Sequence, residues 1–401
     1  MGLVRKATIT EYWNSKFPSQ ETSWFKRMFS RNRFQLLLKF FHLTNNDEIP
    51  GRNQPNYSPT AKFQCFVDLF NRKSQEHYIP EQNLSIDESL IGTRGRTSML
   101  QYIPSKSAKF GVKVWMLVES VTGYIVNAKI YRGKRYDPTP CGTTQGSHIV
   151  NTLLNEAGMF NKQYHIICDS FFTSVNLARQ LLTRGTFFTG TIRQNRHMPN
   201  MIQNAALAEG EYKYVRQGDV LLCCYRERLR RKPVRILSTH GKAVQDNNEK
   251  PKILDFYNKH MGGVDLADMM VTYYNDNRKT LKVWKKVTFN FIQRMIINSY
   301  ILYRKNTSDQ PVQTRLQFIQ CLVEDLATEH LTSRNLEVNE NPTAGRRHQR
   351  MSLRKIPKYK DCCVCSDRGG FGGRHRTRTV CKHCNKGLHK DCINNHVCIE
   401  S

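Results

Sequence analysis

The stretch "HIICDSFFTS", residues 165–174, places an aspartate directly after a run of apolar residues and directly before the start of a predicted helix. The run is apolar enough to be a central strand of a sheet. A carboxylate at the end of a buried strand is costly unless it is paired, hydrogen-bonded or bound to a cation. Asp169 is therefore expected either to cap the following helix or to serve as a functional acid.

The segments around this strand predict a mixed α/β fold. Three short β-rich runs lie upstream, separated by glycine and polar turns: "LSIDESLIG" (84–92), "GVKVWMLVES" (111–120) and "GYIVNAKIYRG" (123–133). Helices are predicted at about 147–158 and 173–184, and "TFFTGTIR" (186–193) predicts another strand. Three strands, a helix, a strand, a helix and a strand are compatible with a ribonuclease-H-like sheet.

Other regions flank or interrupt this α/β unit. Residues 8–80 are predicted to be mostly helical, with an apolar stripe at three-to-four-residue spacing between Phe25 and Phe41. Residues 196–250 resemble a segment placed inside the unit, with weak strands and the basic run "RERLRRKPVR" (226–235). Long helical patterns return from about 280 to 332, before a basic linker.

The charge balance indicates a polyanionic partner. The 401 residues include 62 Lys and Arg against 33 Asp and Glu, a formal net charge of +29. Such an excess attracts nucleic acid over long range. A membrane surface also attracts cations, but the sequence has no run of about 18 apolar residues and no N-terminal signal segment. We expect a soluble intracellular protein.

Three further aspartates have positions that suit a metal site. Asp87 lies mid-strand, Asp265 follows "MGGV" near a helix start, and Asp268 comes one turn later. If the acids converge, oxygen ligands without His or Cys suit Mg²⁺ or Mn²⁺, and two such ions can promote in-line displacement at a phosphodiester. Alternatives stay open: Asp169 as a helix cap, Asp268 as a surface residue, and Asp87 as the partner of a nearby arginine.

The C-terminal segment carries four pairs of potential zinc ligands. Seven of the thirteen cysteines lie between residues 362 and 398, which favours metal ligation over disulfides in an intracellular chain. So short and polar a segment has little apolar core with which to fold without metal. The pairs are Cys362 with Cys365, Cys381 with Cys384, His389 with Cys392 and His396 with Cys398, enough for two Zn²⁺ ions.

An interleaved arrangement would use the first and third pairs for one ion and the second and fourth for the other. Cys363 and His383 are spare candidates. Residues 345–382 hold 12 Lys and Arg against 2 Asp, which favours a nucleic-acid contact or a nuclear import signal over a solvated linker. A ubiquitin-ligase or histone-reading role is less favoured, because nothing around the motif marks a partner groove.

Several long motifs, taken in order, resemble those of the piggyBac superfamily of transposases, and most closely its transposable-element-derived proteins. The resemblance covers nearly the whole chain from about residue 10 to the end. The motifs are "LSIDESLIGTRGR" (84–96), "YIPSKSAKFGVKVWML" (102–117), "ICDSFFTS" (167–174), "GTIRQN" (190–195), "HMGGVDLADMM" (260–270), "YYN" (273–275) and "RKTLKVWKK" (278–286).

The resemblance implies a ribonuclease-H-like catalytic core with an aspartate triad. Asp87 takes the first place, Asp169 the second and Asp265 the third, and Asp268 matches a further aspartate that supports activity. In the family these acids bind two Mg²⁺ ions, nick transposon ends, form hairpins on them and join them to DNA at TTAA sites. All four acids are present, so we expect catalysis; the alternative is a domesticated, non-catalytic DNA-binding or chromatin protein.

The resemblance also implies the domain organisation, including a C-terminal cross-brace that binds transposon-end DNA. The interleaved zinc arrangement is therefore the predicted one. The expected segments are a helical dimerisation and DNA-binding domain (1–81 and 276–335), a catalytic core (82–195 and 251–275), an insertion domain (196–250), a basic linker (336–360) and a cysteine-rich zinc domain (361–401).

Candidate DNA contacts come from the same motifs. Arg193 and Arg196 match family positions that contact DNA, and Trp284 matches a tryptophan near the target bases; the residues alone suggest solvated arginines and a core tryptophan. The remaining candidates flank the first acid or lie in the last motif: Arg94, Arg96, Lys106, Lys109, Lys113 and Lys279.

We further expect a homodimer in the nucleus. Family members usually carry a longer N-terminal region before "ITEYWNS" (9–15), so the sequence is expected to be a fragment, a shortened gene model or a domesticated remnant.

Overall fold

The computed structural model describes residues 2–244, 250–275, 280–307, 311–340, 353–366, 373–382 and 384–396. The chain divides into two compact units, Met1–Gln320 and Cys321–Ser401. The helices are α1 (Ser23–Met28), α2 (Arg31–Phe40), α3 (Gln64–Glu76), α4 (Gln145–Glu156), α5 (Val175–Thr183), α6 (Asn200–Gln203), α7 (Lys252–His260), α8 (Gly263–Tyr273), α9 (Val283–Asn306) and α10 (Arg315–Glu340). The strands are β1 (Asn83–Gly92), β2 (Leu100–Tyr102), β3 (Phe110–Glu119), β4 (Ile125–Ile130), β5 (His165–Cys168), β6 (Phe187–Thr191), β7 (Tyr212–Gln217), β8 (Val220–Tyr225), β9 (Val234–Ser238), β10 (Leu353–Asp361) and β11 (Arg376–Cys381).

A nine-stranded mixed sheet forms the centre of the first unit, in the order β2-β3-β1-β5-β6-β9-β8-β7. β4 pairs with the same edge of β3 as the short strand β2. β1 is antiparallel to β3 and parallel to β5, and β5 is parallel to β6. The order β4-β3-β1-β5-β6 is that of a ribonuclease-H-like sheet, so the predicted mixed α/β fold is confirmed.

Successive side chains of β3 enter two cores on opposite faces of the sheet, as the two-residue period of a strand requires. Trp115 belongs to the core that α4 and α5 cover, whereas Met116 belongs to the core that α3, α8 and α9 cover. Both side chains are fully buried. Burial on both faces explains why this strand reads as a continuous apolar run.

The segment 196–250, predicted as an inserted domain, extends the central sheet. β9 pairs antiparallel with β6, and β8 and β7 follow outward. α7 then packs on this extension, where Ile253 and Tyr257 share a core with Leu221 and Ile236. After β6, the chain therefore forms the outer strands β7 and β8 and returns in β9, next to β6. The predicted domain boundaries stay a prediction.

The residues of the apolar stripe predicted between Phe25 and Phe41 lie on two short helices, α1 and α2, and at their ends. Ser30 lies between α1 and α2, and its hydroxyl caps α2 by accepting a hydrogen bond from the backbone N–H of Arg33. No residue of α2 is buried, and Phe40 is 65% exposed. Phe25 and Phe34 of the predicted stripe are half-buried and pack against Trp13. Phe41 stacks on Trp284. The stripe is therefore half-buried and not part of the fully buried cores.

Helix α9 buries polar residues as well as apolar ones. Lys285, Arg294 and Asn298 are buried on the same helix as Val287 and Phe291. A buried polar side chain needs hydrogen-bond partners, and those of Arg294 lie next to the predicted acids. In the described part of the chain, no helix is long and apolar enough to span a membrane.

The second unit contains a small two-stranded sheet. β10 and β11 pair antiparallel with an irregularity between Lys355 and Lys360. The buried cluster beside them consists of Cys362, Cys381, Cys384 and Leu388. Three of these four residues are cysteines, so the core of this unit is built largely from potential metal ligands.

Candidate functional site

The first two predicted acids lie side by side at the centre of the sheet. β1 and β5 run parallel, and Ile86 pairs with Cys168, so the next residues along the two chains are Asp87 and Asp169. Sites of α/β sheets form at the carboxyl ends of parallel strands. The fold thus brings together two carboxylates that are far apart in the sequence.

Asp87 is half-buried in β1, so its carboxyl group is only partly accessible to water. Burial is the main reason why the pKa of Asp87 rises to about 7, followed by the negative charge of Glu88. Asp169 adds to this rise, whereas the backbone N–H of Glu88, 2.7 Å from Oδ1, and the cation of Lys106 oppose it. A carboxylate with a pKa raised in this way gains from a bound cation.

Asp265 joins the other acids through Lys106. It lies in the first turn of α8, and its side chain is 65% exposed. The Nζ atom of Lys106 lies 3.7 Å from Oδ1 of Asp265, and the same lysine lowers the pKa of Asp87. One ammonium group therefore acts on both the first and the third acid.

A glycine lets α8 lie against the sheet at this place. A Cβ atom on Gly263 would lie 2.4 Å from Oγ of Ser85 and 3.2 Å from the carbonyl oxygen of Glu119. Ser85 is on β1, two residues before Asp87. The helix that carries Asp265 thus approaches the strand that carries Asp87 more closely than a side chain at position 263 would allow.

Asp268 forms an ion pair with a buried arginine. Its Oδ1 atom accepts hydrogen bonds from Nη2 of Arg294 at 2.9 Å and from the hydroxyl of Ser89 at 2.7 Å. The side chain of Arg294 is 1% exposed and that of Asp268 is 29% exposed. Asp268 is therefore not a plain surface residue, and one of its oxygens already has two donors.

Asp169 caps a turn and not the helix that follows. Its Oδ1 atom accepts a hydrogen bond from the backbone N–H of Phe171 at 2.9 Å. α5 is capped by Ser174, whose hydroxyl accepts from the backbone N–H of Leu177 at 3.1 Å. The helix-cap alternative is therefore wrong.

The donor set of the three aspartates fits a hard divalent cation. Among the described residues, the groups of potential ligands whose atoms all lie within 4.8 Å of one another are both in the second unit. The aspartates of the sheet are therefore spaced more widely than such a group. Mg²⁺ is usually held by one or two carboxylates together with water and substrate phosphate, and oxygen donors without His or Cys are the type that it prefers.

Two residues that the sequence did not single out are electrostatically coupled to the acids. Glu88 raises the pKa of Asp87 and follows it directly in β1. The hydroxyl of Tyr257 lies 3.4 Å from Oγ1 of Thr191, and its pKa rises to about 12, mainly by burial and also through Asp169. Adjacency could have indicated Glu88, but nothing in the sequence marks Tyr257.

Besides Lys106, three of the predicted DNA contacts lie close to the acids. Nζ of Lys113 lies 4.3 Å from the ring centroid of Trp115. Burial lowers the pKa of Lys113, and the negative charges of Glu88 and Asp87 oppose this shift. Arg193 lies 3.4 Å from the hydroxyl of Ser170, and Arg196 donates to the carbonyl of Phe171 at 3.3 Å. Both arginines therefore lie beside the turn that carries Asp169.

The remaining predicted DNA contacts are more scattered. Arg94, Arg96 and Lys109 are exposed, and Lys279 lies outside the described residues. Trp284 is half-buried: it stacks on Phe41 with 5.9 Å between ring centroids and packs against the core under α3 and α9. Trp284 therefore makes the core contacts that were expected of a tryptophan on the basis of its residue type.

Four ligands of the predicted zinc cross-brace form one group in the second unit. Cys362, Cys365, His389 and Cys392 are the four residues expected to bind one ion, and their ligand atoms all lie within 4.8 Å of one another. Nδ1 of His389 lies 3.2 Å from Sγ of Cys365, and Nε2 lies 3.2 Å from the carbonyl of Arg376. A ring nitrogen held by a carbonyl is a common way to orient a metal-binding histidine.

The second group contains Cys381, Cys384 and His396. Nε2 of His396 lies 3.2 Å from Sγ of Cys384, while Nδ1 lies 3.3 Å from Sγ of Cys363. Cys363 therefore contacts the other nitrogen of the ring. Cys398, the fourth predicted ligand, and the spare candidate His383 lie outside the described residues. Thiolate and imidazole donors in these groups could hold zinc.

The fold and the acids agree with an enzyme that processes nucleic acid, and comparison with known proteins identifies the family. Residues 1–300 match the family model described as "Transposase IS4". The chain belongs to this family of transposases, in its piggyBac superfamily, as the motifs predicted.

Named relatives agree with this assignment. Human "PiggyBac transposable element-derived protein 2" is 24% identical over 344 residues, 80% of this chain and 55% of the relative. Human "PiggyBac transposable element-derived protein 3" is 24% identical over 308 residues, 70% of this chain and 49% of the relative. The chain thus spans about half the length of these curated relatives.

A solved structure shares the fold. The cryo-EM structure of a piggyBac transposase synaptic complex with hairpin DNA superposes with a TM-score of 0.74 at 26% sequence identity. The match covers 92% of this chain and 79% of that chain. Family and fold together therefore place this chain with the piggyBac transposases.

Proposed function

We propose that the chain is a DNA transposase that cuts and joins DNA strands at a divalent-metal site formed by Asp87, Asp169 and Asp265. The observation that supports this most directly is the pairing of Ile86 with Cys168, which sets the first two acids beside each other. The raised pKa of Asp87 gives the same indication, because a bound cation would stabilise its charged form.

The three carboxylates would bind the metal ions, and the metal ions would in turn bind the reacting phosphodiester. Two Mg²⁺ ions, or Mn²⁺ in their place, would supply charge stabilisation for the leaving oxygen and a lowered pKa for the attacking water or 3′-hydroxyl. Asp87 and Asp169 would approach from the sheet and Asp265 from α8. Lys106, Arg193 and Arg196 would contact the phosphates on either side of the scissile bond.

The finer chemistry follows from the motif resemblance: nicking of transposon ends, hairpin formation and joining at TTAA sites. It is supported by the likeness to a piggyBac transposase whose synaptic complex contains hairpin DNA. We also propose, from the motif resemblance and the basic segment 345–382, that the protein acts in the nucleus as a homodimer.

The second unit is proposed to bind two Zn²⁺ ions and to contact the DNA of the transposon ends. Its two ligand groups support the first part, and its strands support the second, because they carry exposed cations on both sides of the irregularity in β10. These cations are Arg354, Lys355, Lys358, Lys360, Arg376 and Arg378.

An excision assay tests the proposal. Cells receive the full chain and a reporter interrupted by DNA that carries candidate TTAA-bounded inverted repeats. We expect excision with the wild-type chain and with Asp68→Asn, a change at an exposed helix residue that bonds Gln64. Asp169→Asn keeps an acceptor for the N–H of Phe171 and should fold, but it should excise nothing above background.

Equal excision by wild type and Asp169→Asn would contradict the catalytic role. Absence of excision by the wild-type chain, with DNA binding retained, would favour the domesticated DNA-binding protein instead. The two results are distinguishable because only the first shows excised product.

A further inference from the structure

The ion pair between Asp268 and Arg294 lies inside a larger polar network. Nη2 of Arg294 lies 2.9 Å from Oδ1 of Asp268 and 2.8 Å from Oγ of Ser89, and the Ser89 hydroxyl donates to the same Oδ1. Nε of the arginine donates to Asn290 at 2.8 Å, and Nη1 lies 3.0 Å from Sδ of Met116. The guanidinium group thus has partners on three sides while its side chain is 1% exposed.

The network joins the elements that carry the first and third acids. Ser89 is on β1, two residues after Asp87 and on the same face of the strand, and Asp268 is on α8, one turn after Asp265. Arg294 and Asn290 belong to α9, which packs over both. The bonds among Ser89, Asp268 and Arg294 therefore restrain α8 relative to β1, both directly and through α9.

The same contacts disfavour a cation bound directly to Asp268. Oδ1 already accepts from a hydroxyl and a guanidinium group, so both of its lone pairs have donors. A divalent ion on Oδ2 would lie close to the fixed positive charge of Arg294 in a poorly hydrated place. Charge repulsion makes Asp268 a poor ligand.

We propose that Asp268 is a positioning residue, which acts with Arg294 and Ser89 to hold Asp265 opposite Asp87, and that it is not a metal ligand. The inference rests on the proposed function, since it concerns the same site. It separates two roles that the motif alone cannot distinguish: three acids bind the metal, and the fourth aligns the helix that supplies one of them.

Metal binding, measured without any DNA, tests the roles. The full chain is first loaded with Zn²⁺, and Mn²⁺ binding to the remaining site is then followed by electron paramagnetic resonance. Mn²⁺ binding to the proposed site is defined as the part of the signal that is lost in the variant Asp87→Asn. Outer residues that orient metal ligands typically change affinity by about 10–100-fold, so Asp268→Leu and Arg294→Met, each alone, should weaken Mn²⁺ binding by roughly that factor.

The double variant Asp268→Leu with Arg294→Met decides between the two roles. Replacement of a whole buried ion pair by apolar side chains is often neutral, whereas removal of one partner is not. The proposal expects the double variant to bind Mn²⁺ within about threefold of the wild-type chain, well inside the 10–100-fold loss of the single variants. Binding as weak as in Asp268→Leu alone would make Asp268 a ligand and overturn it.

A milder pair of variants covers the case in which these changes prevent folding. Ser89→Ala removes two bonds of the network, those of its hydroxyl with Asp268 and Arg294. Ser74→Ala removes a bond to another residue of α9, that between Asn298 and Ser74 at 3.0 Å. Only Ser89→Ala should weaken Mn²⁺ binding, and equal binding by both variants would refute the positioning role. If Asp87→Asn binds Mn²⁺ as well as the wild-type chain does, the proposed function itself fails.

Discussion

The ammonium group of Lys106 lies 3.7 Å from the carboxylate of Asp265 and also lowers the pKa of Asp87. One cation thus serves two of the three acids, in the region where the proposed function places a phosphate. Lys106 is half-buried in the connection between β2 and β3.

We predict that Lys106→Met weakens binding of the chain to duplex DNA and reduces the slope of log K against log salt by about 0.9, because one phosphate contact is lost. Fluorescence anisotropy at several salt concentrations measures the slope. Lys129→Met is the matched control, since Lys129 pairs with Glu156 on another part of the sheet. A slope that drops equally in both variants would argue against a DNA contact at Lys106.

The close approach of α8 predicts opposite outcomes for two adjacent glycines. Gly263→Ala would place a methyl group 2.4 Å from Oγ of Ser85, and the resulting overpacking should lower the free energy of unfolding by about 1–3 kcal/mol. Gly262→Ala meets nothing within 4 Å and has φ −85°, so its effect should stay within about 0.5 kcal/mol. Urea titration of the two variants gives the comparison; a neutral Gly263→Ala would show that the helix can move away freely.

The two ligand groups of the second unit predict a defined zinc content. The wild-type chain should contain about two Zn²⁺ ions, and Cys392→Ser, which removes one ligand of the first group, should contain about one. Elemental analysis of dialysed protein measures the content. Cys141→Ser, at an exposed cysteine of the first unit, is the control and should keep both ions. A wild-type content below one ion would contradict the cross-brace.

His165 predicts a loss of stability in acid. This residue is 3% exposed, its Nε2 atom lies 2.8 Å from Oγ1 of Thr189, and burial lowers its pKa from 6.5 to about 3. Between these values the unfolded chain binds a proton that the folded chain does not, so stability falls as the pH falls from about 6.5 to about 3. The slope from this one group is at most about 1.4 kcal/mol per pH unit.

Guanidinium titrations at several pH values measure that slope. His165→Gln keeps a polar group near Thr189 and should reduce the dependence on pH. His77→Gln, at an exposed residue after α3, should leave it unchanged. Equal slopes for wild type and His165→Gln would contradict the prediction.

Local patterns predicted the elements of the sheet well. The strand before Asp169 was expected from "YHIIC" and is His165–Cys168, because a short apolar run between turn residues is a local signal. The helix predicted at about 147–158 is Gln145–Glu156 for the same reason. The convergence of Asp87 with Asp169 needed the fold, since it depends on a parallel pairing across about 80 residues.

Contacts that depend on long-range packing could not be predicted. Arg294 stands among apolar residues of a long helix, where an isolated basic residue usually reaches solvent with its charged end. Its partner Ser89 is 205 residues away, so no spacing rule connects them. The return of β9 beside β6 was missed for a similar reason, because antiparallel pairing between distant strands leaves no local signal.

Because β6 pairs with β9, the positions of the second and third acids do not depend on the number of residues in the segment that joins these two strands. This excursion starts and ends at one place in the sheet, and residues 228–232 at its far turn are exposed. Peptides of different lengths can therefore be grafted there, by evolution or by an experimenter, without altering the distance between Asp169 and Asp265. A fluorescent label or a further DNA-binding domain can be attached at residues 228–232, because they are exposed.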